Sequence, residues 1–352
     1  MKKALLLLTL VLGSMTVSAQ KFDKNELKQL QSFLAMPAEK EGTNAQALKI
    51  SDLKNPATWE GVTVTNGRVT AIDWKDKKLA GDLNLAGFTA LQSVDVSRNS
   101  LASVSLVGDA ALTDLNASRN KIRTIDMSGC TALMNAKIYK NRITDFEIGQ
   151  TPALQTLNVS NNLLVELNVA NSATLKTLNC QGNHLEYLSV ADCTNLKNLY
   201  CGYNKLTSIN LTGVTALQNL NIDDNEIVNL IVSGLPSLST FLCTDNNMQS
   251  LAVRDCPALL DLVCSYNDLT SLDVQNCPQL LFVDCSYNDL TQLTLSNQTF
   301  LQRLLCNNNQ LTMLDVSFDQ ALTYINCRYN MITDLRTIGD NSLSMVACQW
   351  NY

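Results

Sequence analysis

Twelve cysteines and one histidine are the residues of this 352-residue chain with the most specific chemistry. A thiol can ligate zinc, attack as a thiolate or close a disulfide, and an imidazole can relay protons. Spacing decides among these uses. His184 has no second histidine to work with, so neither a His-rich metal site nor a Ser-His-Asp triad can be assembled. It follows an asparagine in a turn-like stretch and reads as exposed. No Cys-x-x-Cys and no glycine-rich phosphate loop occurs. Asp126, Asp273 and Asp315 recur in matching sequence contexts, which suits surface or turn-bonding carboxylates better than an acid–base pair. The expectation is a chain that is not an enzyme and takes no metal or cofactor.

The cysteines keep a register. Cys180, Cys201, Cys243, Cys264, Cys285, Cys306, Cys327 and Cys348 are separated by 21 residues or twice that. Each lies three residues before an asparagine that recurs on the same step: Asn99, Asn120, Asn141, Asn162, Asn183, Asn204, Asn225, Asn246, Asn267, Asn288, Asn309, Asn330 and Asn351. Leucine keeps the step too, from Leu91 and Leu112 through to Leu322 and Leu343. Where the cysteine is missing, Val96, Ala117, Ile138, Val159 or Ile222 replaces it, so the column is a core column. Cys130, Cys193, Cys256 and Cys277 sit ten residues after an asparagine, before the next strand.

These elements must position the columns. A period of 20–29 residues with L-x-x-L-x-[LC]-x-x-N-x-L is the leucine-rich-repeat signature, and Leu259–Leu269 is a clean copy. Alternation in the short strand turns Leu262 and Cys264 inward and Asp261, Val263 and Ser265 toward an open face. The chain then turns sharply, and an asparagine with both donor and acceptor can satisfy the backbone groups stranded there. Leu269, Leu272 and Val274 line the return. Twenty-one residues leave no room for a helix on that side, so extended or 3₁₀ segments are expected. The fold class that follows is an α/β-type leucine-rich-repeat solenoid, right-handed and curved, with a parallel β-sheet on its concave face. About thirteen coils stacked at ~4.8 Å span roughly 60 Å. In-register neighbours at that spacing hold their Cβ atoms too far apart for disulfides, so the thiols are expected to be buried and reduced.

The form L-x-x-L-x-C-x-x-N-x-L-T-x-L-D-V, seen in Leu280–Thr291 and Leu269–Val274, resembles the cysteine-ladder internalins and related surface repeat proteins of bacteria. The resemblance covers about residues 70–352. It implies a solenoid used for protein recognition, adhesion or invasion. No immunoglobulin-like domain, sorting signal or wall anchor follows the repeats.

Three regions are expected. Residues 1–19 read as a signal peptide: Lys2-Lys3, an apolar run from Ala4 to Gly13, and Val17-Ser18-Ala19 as the cleavage site. No lipobox cysteine or transmembrane segment follows, so a secreted, periplasmic or cell-surface product is expected. Residues 20–68 form an N-terminal cap. Asp23 is a helix N-cap with Glu26 completing a capping box, Leu27, Leu30, Phe33 and Leu34 mark one face, and Pro37 stops the helix. A shorter helix covers Asn44 to Ile50. Asn66-Gly67 between Val62–Thr65 and Arg68–Ile72 signals a hairpin. Trp59-x-Gly61-Val62 followed by Arg68-Val69-Thr70 is also similar to the cap of plant-type leucine-rich repeats, without its cysteines. Residues 69–352 are the solenoid, with Lys78 replacing the asparagine of its first coil. The array closes at Trp350-Asn351-Tyr352 without a polar cap. Either the two aromatics fold over that end, or a partner or like subunit covers it.

Function would sit on the concave face. The net charge of −6 argues against nucleic acid, and loss of the leader's two lysines makes it more negative. The central strand column is polar at first, Asp95, Asn116, Lys137, Asn158 and Asn179, and then includes Leu242, Val263 and Leu305. The column beside it changes likewise, to Phe282, Arg303, Tyr324 and Met345. These seven residues are the expected ligand site. The expected partner is a protein, from a host or a cell envelope; a glycan, or a hydrolase inhibited by the solenoid, is the alternative. Tyr203, Tyr266, Tyr287, Tyr329 and Trp350 precede ladder asparagines, at a spacing that allows their rings to stack.

Overall fold

The computed structural model describes residues 21–295, 298–317, 320–339 and 342–352. The signal-peptide reading at 1–19 lies outside them. Most coils among the described residues are built the same way. A three-residue strand is followed by the asparagine turn, a second short extended segment, and a tight turn back to the next strand. Strand residue i pairs with i+21: Thr177 with Asn198, Leu178 with Leu199, Asn179 with Tyr200. The result is a fifteen-stranded sheet whose strands run parallel except at its N-terminal edge.

The return side is extended, as the short repeat demands. Ser250–Arg254 pairs in parallel with Asn229–Ser233 and Ser271–Gln275, and similar two- and three-stranded patches recur along the array. Their inward residues, such as Leu251 and Val253, are buried opposite Leu262 and Cys264. Core positions are filled by Leu, Val, Ile and Cys from end to end, in one continuous cluster. No coil could bury that face by itself, so stability depends on the neighbours.

The asparagines hold the coils together. Asn288 Nδ2 donates to the carbonyls of Cys285 (3.1 Å) and Ser286 (3.2 Å) in its own coil and of Cys264 (3.0 Å) in the preceding one. Its Oδ1 accepts from the Leu269 amide (3.0 Å). All thirteen asparagines bond both their own coil and the one before. The first of them copes with the irregular start. Ala71 pairs with Ser93, a step of 22, and Asn99 Oδ1 accepts from both Lys77 N (3.1 Å) and Leu79 N (3.0 Å), flanking Lys78.

The cap combines a helix and a hairpin. Helix α1 (Lys24–Leu34) buries Leu30, Phe33 and Leu34, and Phe33 stacks on Trp74, one of the largest fully buried side chains. Asp23 caps it through Asn25 N and Glu26 N. The capping-box reading of Glu26 needs correction. Its carboxylate, only 3% exposed, binds Arg68 Nε (2.7 Å) and the Val69 amide (2.9 Å) of the hairpin. It clamps the helix onto the sheet instead of closing its own first turn. Helix α2 spans only Asn44–Ala47, shorter than expected, and the capping box is here, between Thr43 and Gln46. Strand β1 (Val62–Thr65) pairs antiparallel with β2 (Arg68–Asp73) through the expected Asn-Gly turn, with both residues at positive φ. Because β2 is also the first parallel strand of the sheet, the hairpin is continuous with the solenoid.

Candidate functional site

The seven residues expected to bind lie on one face of the sheet, brought together by strand register. Leu242 pairs with Val263, Phe282 with Arg303, Arg303 with Tyr324, and Tyr324 with Met345; Leu305 sits beside Asp284. Leu242, Val263, Phe282, Leu305 and Tyr324 are half-buried by their neighbours; Arg303 and Met345 are exposed. Arg303 lies between two rings, its guanidinium carbon 5.3 Å from the Phe282 centroid and 5.8 Å from that of Tyr324. Cation–π attraction holds the stem in place and leaves the fork's donors free for an acceptor.

The N-terminal half of the same face is different in kind. Asn116 donates to Asp95 (3.0 Å), Asn135 to Asp114 (2.8 Å), Asn198 to Thr177 (3.1 Å) and Asn219 to Asn198 (2.7 Å). These side chains satisfy one another along the coils. Toward the C-terminal coils the polar rows give way to apolar and aromatic surface. A depression of about 650 Å³ lies at the N-terminal end, lined by Asp73, Asp95, Asp114, Asn116 and Lys137. Sequence reasoning did not find it, because it arises where the hairpin rises beside the first coils.

One concave column needs correction. Ser265 was expected on the open face, yet it is 4% exposed, as are most of its equivalents or nearly so. The reason is local. Ser286 Oγ donates to Asp284 Oδ1 (2.6 Å) and Ser118 Oγ to Asn116 Oδ1 (2.7 Å), which folds those hydroxyls under the turn; Ser265, which follows Val263, is buried by the same turn without that bond.

The cysteines lie in the core. All twelve are free, and all but Cys348 are buried. Cys348, in the last described coil, is exposed and departs from the core expectation. Burial pushes the thiols of Cys130 and Cys180 up to about 12 and that of Cys327 to about 11, with Cys201, Cys243, Cys264 and Cys306 well raised. Protonated, enclosed thiols are poor nucleophiles. Cys256 Sγ donates to Arg254 O (3.3 Å) and Cys277 Sγ to Gln275 O (3.3 Å), and interaction between the two thiols across adjacent coils eases ionisation of Cys256 and raises Cys277. In the native protein only Cys348 is expected to react quickly with a thiol reagent. In denaturant without reductant the count should rise to twelve. A lower denatured count would reveal disulfides and overturn this reading.

Other candidate groups resolve simply. His184 is exposed. Asp126 accepts from Ser128 N (2.9 Å) and Asp315 from Ser317 N (3.0 Å), and Asp273 pairs with Arg254. Among the described residues no three His, Cys, Asp or Glu side chains converge as a metal site would need. Trp350 and Tyr352 are 69% and 86% exposed and do not fold over the end of the array; Trp350 stacks on Tyr329 instead.

Solved structures share this architecture. The functional domain of InlJ from Listeria monocytogenes, which includes a cysteine ladder, is 25% identical over 78% of this chain, with a TM-score of 0.52. This chain is a leucine-rich-repeat solenoid. It spans 56% of that InlJ chain. YopM, a leucine-rich effector protein from Yersinia pestis, aligns over 74% of this chain and 78% of its own at 22% identity and a TM-score of 0.57. The PEPR1–AtPEP1 structure aligns over 88% of this chain and 52% of its own at 18% identity and a TM-score of 0.63. The last two share the fold alone. No protein-family model matches the sequence, and no curated protein does. No helix among the described residues is long and apolar enough to cross a membrane.

Proposed function

We propose that this leucine-rich-repeat solenoid is an exported protein-recognition module, secreted, periplasmic or displayed at a cell surface, that grips a protein ligand on the concave face of its C-terminal coils. The observation that carries the reading is the Phe282–Arg303–Tyr324 sandwich, with Leu242, Val263, Leu305 and Met345 around it. Aromatic residues and Arg dominate binding hot spots, because they bury large area with little loss of side-chain freedom while the guanidinium recognises an acceptor. The seven residues lie on a regular sheet, so the surface is held in shape before the ligand arrives. The basic, apolar and small-residue order of Met1–Ala19 supports export.

The test is capture of ligands from host and cell-envelope extracts by the protein without its leader, followed by the same capture with Phe282→Ala/Tyr324→Ala. Both side chains leave the core untouched, so the melting temperature should hold. Binding should fall at least 100-fold, the equivalent of two hot-spot truncations. Unchanged capture by the double variant would reject the concave site.

A further inference from the structure

The turn beside each ladder asparagine forces its preceding residue into the left-handed region, at φ between 52° and 67° in this part of the chain. An L-residue there costs roughly 1–2 kcal/mol, least for Gly and Asn, and bulky residues are rare outliers. The last coils nevertheless place Tyr266, Tyr287, Tyr329 and Trp350 in that position. All four are exposed, from 43% to 69%. Tyr266 and Tyr287 stack at 4.3 Å with planes 9° apart, and Tyr329 and Trp350 at 5.8 Å, also 9°. Between the two stacks the column holds Asn308, left-handed like its neighbours and half-buried.

The row is therefore interrupted by a notch one coil wide. Its walls are the open faces of Tyr287 and Tyr329, two coil steps apart, about 10 Å. Its floor is the Asn308 side chain, which is too short to reach ring height. That amide makes no hydrogen bond among the described residues, so a donor and an acceptor stand free between two aromatic faces. The bordering charges are opposite in sign, Asp289 accepting from Gln310 (2.8 Å) and Arg328 donating through Nε to Gln349 (2.5 Å).

We propose that this notch holds one pyranose ring of a neutral glycan. A flat aromatic group sandwiched face to face would need walls about 7 Å apart, twice the contact distance between carbons. A puckered sugar ring holds its mean plane farther from each wall and fits the wider gap, its C–H faces on the tyrosines and its hydroxyls on the Asn308 amide. With one charge of each sign beside it, the notch has no net field to select an acidic or a basic sugar. The site lies on the turn edge of the sheet and is separate from the concave face.

The experiment uses the protein without its leader and four probes: cellohexaose, chitohexaose, laminarihexaose and mannohexaose. Saturation-transfer NMR and titration calorimetry should detect at least one. Tyr287→Ala and Tyr329→Ala should each weaken it tenfold or more, and Asn308→Ala severalfold. Asn308→Tyr fills the notch with a further ring and should abolish binding while leaving the melting temperature unchanged or higher. Tyr203→Ala, outside the notch, should have no effect, and neither should Phe282→Ala/Tyr324→Ala. The proposal is overturned if no probe binds, or if binding survives Asn308→Tyr with the protein folded.

Discussion

Asn267→Ala is expected to destabilise the solenoid by about 3–6 kcal/mol. Asn267 Nδ2 donates to the carbonyls of Cys243 (3.0 Å), Cys264 (3.2 Å) and Ser265 (3.2 Å), and its Oδ1 accepts from Met248 N (3.1 Å). The side chain is 8% exposed, so water cannot replace those partners. Alanine would strand the Met248 amide at about 1–3 kcal/mol and remove three further hydrogen bonds at about 0.5–1.5 kcal/mol each, the carbonyls keeping their other donors, Asn246 Nδ2, Asn288 Nδ2 and Asp245 N. Two of the four partners belong to the preceding coil. The loss therefore falls on the interface between coils, which is the term that makes an array cooperative. A mid-array break should lower the denaturation midpoint and reduce cooperativity, so that the N- and C-terminal coils unfold in separate steps. Asn267→Asp should cost at least as much, because a carboxylate would face three carbonyl oxygens in place of a donor. The contrast is Asn308→Ala, one column away, where no internal bond is lost and stability should change by less than about 1 kcal/mol. Equal effects of Asn267→Ala and Asn308→Ala would sink the reading of the ladder.

The periodic part of this molecule was legible because physics repeats it. A buried asparagine at Asn267 has the same four partners as one at Asn183, so the sequence repeats the residue wherever the structure repeats the need. The cysteine column could be assigned to the core for the same reason. The concave cluster was legible from alternation, since Phe282, Arg303 and Tyr324 share one strand position in successive coils. Features that depend on a single coil were not. Glu26 looks like a capping-box acid in its local sequence, and only the folded hairpin reveals Arg68 and Val69 as its partners. Ser265 alternates like an open-face residue, and only the turn geometry shows it buried. The notch at Asn308 is an absence in a row of rings, which becomes visible only once the flanking rings are known to stack. Asp109 is the strongest case. Its column holds Cys130, Cys193, Cys256 and Cys277, with aspartate again at Asp319 and Asp340, and an aspartate in such a column looks like repeat drift onto the surface. It is 0% exposed.

Asp109→Asn should remove most of a pH dependence from the stability of this protein. The Asp109 carboxyl accepts from Phe88 N (2.8 Å) through Oδ1, while Oδ2 has no hydrogen-bond partner. Burial is the main cause of its shift and drives the acid up to about 7; backbone amides at Phe88 and Gly87 pull weakly the other way. In the unfolded chain the same acid titrates near 3.9. Between these values the folded state holds a proton that the unfolded state has released. Stability therefore falls as pH rises from about 4 to 7, and levels off above that. Three pKa units correspond to roughly 4 kcal/mol as an order of magnitude. Asparagine keeps the acceptor for Phe88 N and cannot ionise. At pH 4 the variant should match the parent within about 1 kcal/mol; at pH 8 it should be more stable by several. Denaturant unfolding of both proteins at pH 4, 6 and 8 reads the difference directly, with other titrating groups cancelling in the comparison. If Asp109→Asn instead destabilises the protein equally at all three values, the carboxylate is ionised and solvated in the fold, and the buried acid is not what sets the slope.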